Sequence, residues 1–313
     1  PYLKNGKKHL ITIRVDNRKR HDISVNELAH AYTDATQVKW NGILGEMYIK
    51  AVDRIRIDNV QLYPDAMARK VKAIVYINNS IAKSGELSVN IDIRGKEDGK
   101  KYASEVKKVV SESGISKVEI ECQLNKDAPL WDEFNPYLYT ATVSIKGKKV
   151  VSNKVETFGL RCLANAGNKL MLNGNPMFLR GTLECCIFPL TGTPPTDEES
   201  WRKVFSSARQ YGMNHLRFHS WCPPEAAFNV ADEMGFYIQI ELPVWSVTLG
   251  KDKPTIEFLR DEAKRISKEY GNHPSFCFWA LGNELQYDFK VMENMLKEMK
   301  EADSRHLYTT TSF

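Results

Sequence analysis

Near residue 160 the chain changes its hydrophobic period, and that switch restricts the folds open to it. Before this point apolar residues alternate with polar ones in short β-branched runs: LITIRVDN (10–17), KAIVYINN (72–79), LSVNIDIRG (87–95), KVEIECQL (117–124) and YTATVSIKG (139–147). Turn residues at Asn79-Ser80, Gly95, Gly114 and Gly147 separate them. A period of two predicts antiparallel strands with one wet face. Tyr63-Pro64-Asp65 reads as a break between two β units, the first ending near residue 57 and the second occupying 58–160.

After residue 160 strands and helices take turns. Met177–Glu184, His215–His219, Phe236–Leu242, Phe276–Leu281 and Leu307–Phe313 read as five strands, most of them nearly continuous in apolar residues. A helix is predicted over Thr196–Tyr211, where Thr196 and Glu199 have capping-box spacing and Gly212 stops it. Pro223-Pro224 opens a second helix that Gly235 ends, and Ile256 to Tyr270 form a third that stops at Gly271. Val291, Met292, Met295, Leu296 and Met299 mark a fourth. Such alternation implies a parallel sheet, either an open doubly wound one or part of a (β/α) barrel. No Gly-x-Gly-x-x-Gly follows a strand, so a dinucleotide fold has little support. Polar residues gather at successive strand ends instead: Glu184, Arg217 with His219, Glu241, and Asn283 with Glu284. Four consecutive strands contributing at their carboxyl ends favours a barrel mouth, although a barrel needs eight strands.

Several function classes drop out. The net charge of +5 comes from scattered basic residues and short pairs such as Lys100-Lys101, which predicts a solvated surface and no nucleic-acid partner. No apolar run is long enough to cross a bilayer, and PYLKNGKKHLITIRVDN is too interrupted to be a signal peptide. None of the six cysteines forms a C-x-x-C pair, so neither a zinc site nor a disulfide framework is expected. Cys122 and Cys277 lie in strand-like runs and read as buried small hydrophobes.

The stretch FCFWALGNELQYD (276–288) raises the functional question, because a fully apolar strand stops on an amide and a carboxylate. HPSFCFWALGNE (273–284) resembles the acid/base segment of glycoside hydrolase family 2, the β-galactosidase, β-glucuronidase and β-mannosidase group. LMLNGNPMFLRG (170–181) is similar to that family's approach to its barrel. QVKWNGILGEMYI (37–49) resembles the end of its sugar-binding jelly roll, and APLWDEFNPYLYTATVSI (128–145) with ETFGLR (156–161) resemble its immunoglobulin-like sandwich. The resemblance covers nearly the whole chain in the family's order. It implies a jelly-roll end over 1–57, an immunoglobulin-like β-sandwich over 58–160 and the first half of a (β/α)8 TIM barrel over 161–313, a fragment of a longer protein at both ends.

The same resemblance implies roles. Glu284 stands where the family places its general acid/base for retaining hydrolysis of a terminal glycosidic bond in oligo- or polysaccharides. That chemistry needs a second carboxyl about 5–5.5 Å away and a raised pKa on the acid. Phe278 and Trp279 could supply the apolar surroundings. Asn283 would meet the sugar 2-hydroxyl, and a helix N-cap is its other reading. The family's nucleophile ends strand seven, outside this chain. Glu241 therefore reads as a supporting group, and a complete Glu241–Glu284 dyad is disfavoured. Arg217 would hold the nucleophile ionised. His219 reads equally as a substrate contact or a structural histidine, because Ser220 occupies the family's usual histidine position. Glu184 departs from the Asn-Arg-His-Glu run of β-galactosidases, which puts a galactosidase-type contact in question. Trp245 is expected to touch substrate. The magnesium positions of some β-galactosidases correspond to Trp245 and Val247, which cannot ligate a hard cation, so no metal and no cofactor are expected. Cys185-Cys186 read as packing residues rather than a catalytic thiol. The family favours an extracellular or periplasmic site, a carbohydrate partner, and a second copy or the remaining half-barrel over the open strand edges. A non-catalytic carbohydrate-binding or scaffold relative is the rival reading.

Overall fold

In the computed structural model the described residues are 6–16, 18, 20–21, 23–24, 40, 42–81, 85–148 and 150–312. Two layers of antiparallel strands come first. Strands β1 (Ile55–Asp65), β2 (Lys70–Asn79) and β5 (Gly114–Gln123) form one sheet in the order β1-β2-β5. Strands β3 (Gly85–Gly95), β4 (Lys101–Ser111), β6 (Tyr139–Gly147) and β7 (Val150–Phe158) form the other, ordered β4-β3-β6-β7. The inward residues of both sheets, among them Val60, Leu62, Val75, Ile91, Val143 and Phe158, make one dry core. Strict alternation is what allows this: in β3, Leu87, Val89, Ile91 and Ile93 all face inward.

Three expectations are corrected here. LITIRVDN carries no strand over its described part, residues 10–16, and Leu10 is 92% exposed. Tyr63-Pro64-Asp65 is not a break, since β1 runs through it and Pro64 pairs with Val71 beside the hairpin turn, at a sheet edge where a missing N–H is tolerated. The edge strands β4 and β7 have largely exposed faces, so their sequences lack the alternation that betrayed β2, β3, β5 and β6. Most of QVKWNGILGEMYI lies in residues 42–49, which form no strand, and its first three residues fall outside the described set.

A small three-stranded sheet follows, β8 (Leu163–Ala166), β9 (Lys169–Leu172) and β10 (Asn175–Pro176), ordered β10-β9-β8. It accounts for much of LMLNGNPMFLRG, so the strand expected from Met177 starts only at Gly181. Leu172 of this sheet packs with Trp131, Tyr237, Cys277 and Phe278. The sheet thereby covers the amino-terminal ends of the parallel strands and leaves their carboxyl ends clear.

The parallel sheet contains β11 (Gly181–Glu184), β12 (His215–Phe218), β13 (Tyr237–Glu241), β14 (Phe276–Ala280) and β15 (Leu307–Thr309). Their spatial order is their chain order, and every pairing is parallel. A doubly wound sheet needs a reversal of strand order, and none occurs. The arrangement is the first arc of a (β/α) barrel. Helices α1 (Glu198–Gln210), α2 (Glu225–Met234), α3 (Lys253–Tyr270) and α4 (Phe289–Ala302) provide the crossovers. The cap of α1 is Asp197, whose carboxylate accepts from Ser200 N at 2.8 Å, and not the Thr196–Glu199 box. Asp binds an orphan N–H as well as Thr does and adds a favourable charge at the positive helix end. Gly235 ends α2 in the left-handed conformation, as its position after the periodic run predicts.

A buried arginine fastens sandwich to barrel. Arg161 follows the last sandwich strand and is 7% exposed. Its guanidinium donates to the carbonyls of Pro274 (2.5 Å), Phe276 (2.6 Å) and Arg305 (2.9 Å). The planar fork of arginine reaches all three acceptors at once. Arg161→Met strands buried carbonyls, and each unsatisfied group costs about 1–3 kcal/mol. Urea unfolding of the variant is expected to show a loss of at least about 3 kcal/mol; a loss under about 1 kcal/mol contradicts the role.

Candidate active site

The carboxyl ends of β11 to β14 bring together side chains that are far apart in sequence. Arg217 is the hub. It projects from β12, and its Nε donates to Glu241 Oε1 at 2.6 Å while Nη2 donates to Asn283 Oδ1 at 2.6 Å. Glu241, at the end of β13, is fully buried, and its Oε2 accepts the backbone N–H of Ser220 at 2.7 Å. Both Glu241 oxygens are thus engaged. A buried carboxylate needs such compensation, because desolvation alone costs several kcal/mol. Arg217 was expected to pair with a nucleophile; among the described residues it pairs with Glu241 and steadies Asn283.

Asn283 is 2% exposed and caps no helix, since α4 begins at Phe289 on Asp288. Its backbone N–H donates to Val244 O at 3.2 Å. The preceding Gly282 packs so tightly against Val244 that an added Cβ would run into the Val244 carbonyl, which explains the glycine in LGNE. Glu284 has a φ of 46°, a left-handed backbone that an L residue adopts only at a cost. Its N–H donates to Ser312 O at 2.9 Å and so ties the turn to the chain beyond β15. The side chain is half-buried at the strand end. Of the aromatics expected around Glu284, Trp279 stacks on Tyr308 with ring centroids 5.8 Å apart, and Phe278 packs edge-on to His215.

His219 lies just past β12 and is 7% exposed. Burial, then the Arg217 charge, pushes its pKa down to about 4, against a hydrogen bond to Asn283. It is therefore a neutral imidazole near pH 7, able to donate or accept but not to carry charge. Its ring meets Trp245 edge-to-face at 5.3 Å. Trp245 is partly exposed in the loop after β13, and its backbone N–H donates to Ile23 O at 2.9 Å, which brings the amino-terminal segment to the site.

Glu184 closes the cluster at the end of β11. Both its carboxylate oxygens lie 3.1 Å from Cys186 N. Burial raises its pKa from the ordinary 4.5 to about 7, against the lowering effect of that N–H. The folded state thus holds the proton more tightly than the unfolded chain. Stability from this carboxyl is complete below about pH 4.5 and is lost as pH rises through about 7. Glu184→Gln removes the titration. Between pH 5 and 8 the wild type is expected to lose roughly 2 kcal/mol more than the variant, after allowing for partial exposure. Equal pH dependence of the two urea midpoints would overturn this. Next to it, burial and then the Glu184 charge push the Cys185 thiol up, the direction opposite to a nucleophilic thiolate.

The structure therefore gathers Glu184, Arg217, His219, Glu241, Trp245, Asn283 and Glu284 at one end of one sheet. Sequence reasoning missed Ser220, whose N–H completes the Glu241 cradle from a left-handed backbone (φ 59°). A serine carries no signal for that conformation.

Comparison with known proteins gives the family. The profile "Glycosyl hydrolases family 2" matches residues 55–161, and its TIM barrel domain matches 164–311. The chain belongs to glycosyl hydrolases family 2. It is 26% identical over 314 residues to a β-galactosidase of Thermoanaerobacter pseudethanolicus, covering 96% of this chain and 39% of that protein. It is 28% identical over 242 residues to a putative β-glucuronidase of Formosa agariphila, covering 73% and 23%. Among solved structures, a β-glucuronidase of Bacteroides uniformis superposes with a TM-score of 0.71 at 18% identity, covering 83% of this chain and 34% of that one. A family 2 member from Bacteroides cellulosilyticus gives 0.73 at 19% identity, with 83% and 35% coverage. The chain thus spans about two fifths or less of the length of these relatives.

Proposed function

We propose that the protein carrying this chain is a retaining glycosidase that removes a terminal sugar from oligo- or polysaccharides in the manner of the β-galactosidases and β-glucuronidases it resembles. The observation that carries the reading is the pairing of a half-buried Glu284 with an Asn283 whose oxygen is held by Arg217 at 2.6 Å. Glu284 protonates the departing glycosidic oxygen and then takes a proton from the attacking water. Held by Arg217 through its oxygen and hydrogen-bonded to His219, Asn283 is fixed in place to meet the sugar 2-hydroxyl. Neutral His219, Trp245 and Glu184 border the sugar, Trp245 as a stacking face. Glu241 fixes Arg217 and is not assigned as the nucleophile, because its carboxylate is fully buried and out of reach of a sugar. The second carboxylate is assigned outside residues 1–313. By the same reading residues 1–57 end a jelly roll, 58–160 form the immunoglobulin-like unit and 161–313 begin the catalytic barrel, with the remaining strands supplied by more of the protein or by another chain.

The test is a panel of aryl β-glycosides, including galactosides and glucuronides, incubated with the intact protein. Release from at least one is expected, and none from residues 1–313 alone. Saccharide binding without release by the intact protein would replace this reading with a carbohydrate-binding relative. Turnover by residues 1–313 would return the nucleophile's role to Glu241.

A further inference from the structure

Among the described residues, six that are not glycine have a positive φ. Arg69 and Asn173 sit in the tight turns after β1 and β9, where such a backbone is ordinary. The other four, Cys186, Ser220, Glu284 and Tyr287, all follow carboxyl ends of the parallel strands. Strain of this kind collects at functional sites. Cys186 and Ser220 use it to turn their N–H groups onto Glu184 and Glu241. Glu284 carries the candidate acid/base carboxyl. Tyr287 has no such use so far, and its φ of 99° lies beyond the roughly 50–70° of the left-handed well.

A bulky residue is held in this conformation and then left open. Gln286 N donates to Ser246 O at 3.1 Å and Asp288 N to Leu249 O at 3.3 Å, so both neighbours of Tyr287 are tied to the loop after β13. Tyr287 itself is 57% exposed. Lys251 Nζ lies 4.7 Å from its ring centroid and steadies one face, while the exposure leaves the other to solvent. Packing does not account for a tyrosine here. An exposed turn with this φ is better served by glycine, which enters it without strain.

The chain fixes where this ring stands. Three residues span at most about 11 Å, so the Tyr287 Cα lies within that distance of the Glu284 Cα. A general acid protonates the departing oxygen, so the leaving group lies on its side of the sugar. We propose that Tyr287 recognises that leaving group: its open face packs on a ring, sugar or aryl, carried by the departing oxygen. The inference rests on the glycosidase reading of Glu284 and deepens it. It names the substrates as glycosides whose leaving group bears a ring, oligosaccharides among them, in preference to glycosides of small alcohols. An aromatic face gains by covering the flat apolar side of such a ring. Lys251, which holds the tyrosine from behind, is a positioning residue.

The test compares kcat/KM of the intact protein for a disaccharide and for the glycosyl fluoride of the same terminal sugar, whose leaving group has no ring. Tyr287→Ala is expected to lower the disaccharide value roughly three- to ten-fold, mainly through KM, and to leave the fluoride unchanged. Tyr287→Phe keeps the ring and should keep the wild-type ratio. Tyr287→Gly, free to adopt a φ of 99°, should lose the same selectivity as Tyr287→Ala while unfolding at a higher urea concentration than it does. An unchanged ratio in both ring-less variants, an equal loss for the fluoride, a ratio lost in Tyr287→Phe, or a glycine variant no more stable than the alanine one would each overturn the proposal and leave the glycosidase reading standing. Failure of the wild type to turn over any glycoside would overturn that reading, and this proposal with it.

Discussion

Glu284→Gln in the intact protein is expected to slow hydrolysis of glycosides with poor leaving groups by about 10²–10⁴-fold, the usual worth of a positioned general acid. The reason is specific to the step. A poor leaving group departs only if protonated as the bond breaks, and the amide of Gln has no proton of suitable acidity to give. A nitrophenolate needs little such help, so formation of the covalent intermediate from nitrophenyl glycosides falls far less. Breakdown of that intermediate then becomes limiting, because water has lost its base. Added azide, a nucleophile that needs no base, is expected to restore turnover and yield the glycosyl azide. The substitution is nearly isosteric and Glu284 is only half-buried, so the fold should survive it. Unchanged turnover of poor substrates removes Glu284 from the mechanism. A uniform loss across all leaving groups, without azide rescue, points to a binding role instead.

Arg217→Ala is expected to cost the barrel about 3–5 kcal/mol, because it leaves Glu241 as a buried charge with no cation. Glu241 is 0% exposed and its arginine partner lies 2.6 Å away, so solvent cannot substitute. Equilibrium urea unfolding, followed by near-ultraviolet circular dichroism of the barrel tryptophans, measures the loss. The double change Arg217→Met with Glu241→Gln should recover much of it, since the uncompensated charge is gone. Recovery would be confined to stability: Asn283 would still lack its anchor, and activity would stay low. A loss under about 1 kcal/mol for Arg217→Ala would mean that the pair is effectively solvated, as surface ion pairs are.

Legibility followed from whether a signal was local. Strands β2, β3, β5 and β6 announce themselves because each has one dry face and one wet one. The parallel strands do so through short apolar runs such as Phe276–Leu281, and Gly235 marks the end of α2 because only glycine enters the left-handed region freely. Edge strands β4 and β7 stayed hidden, since a strand with little burial has little pattern. The cap of α1 was misread by one residue because Thr196 and Asp197 are both good caps, and the choice rests on which side chain meets Ser200 N.

By itself the sequence determined the succession of β-sandwich and strand–helix units and the polar residues at successive strand ends. Both are periodic properties, set within a few residues by which side chains can leave water. It also determined that Glu284 stands at the end of an apolar strand. Only the tertiary structure decided the partners: Arg217 bridging Glu241 and Asn283, the Ser220 amide completing the cradle, and Trp279 stacked on Tyr308. Those contacts join residues tens of positions apart, through strand register and side-chain reach. No single stretch of sequence encodes them, because each contact depends on how strands distant in the chain pair and pack.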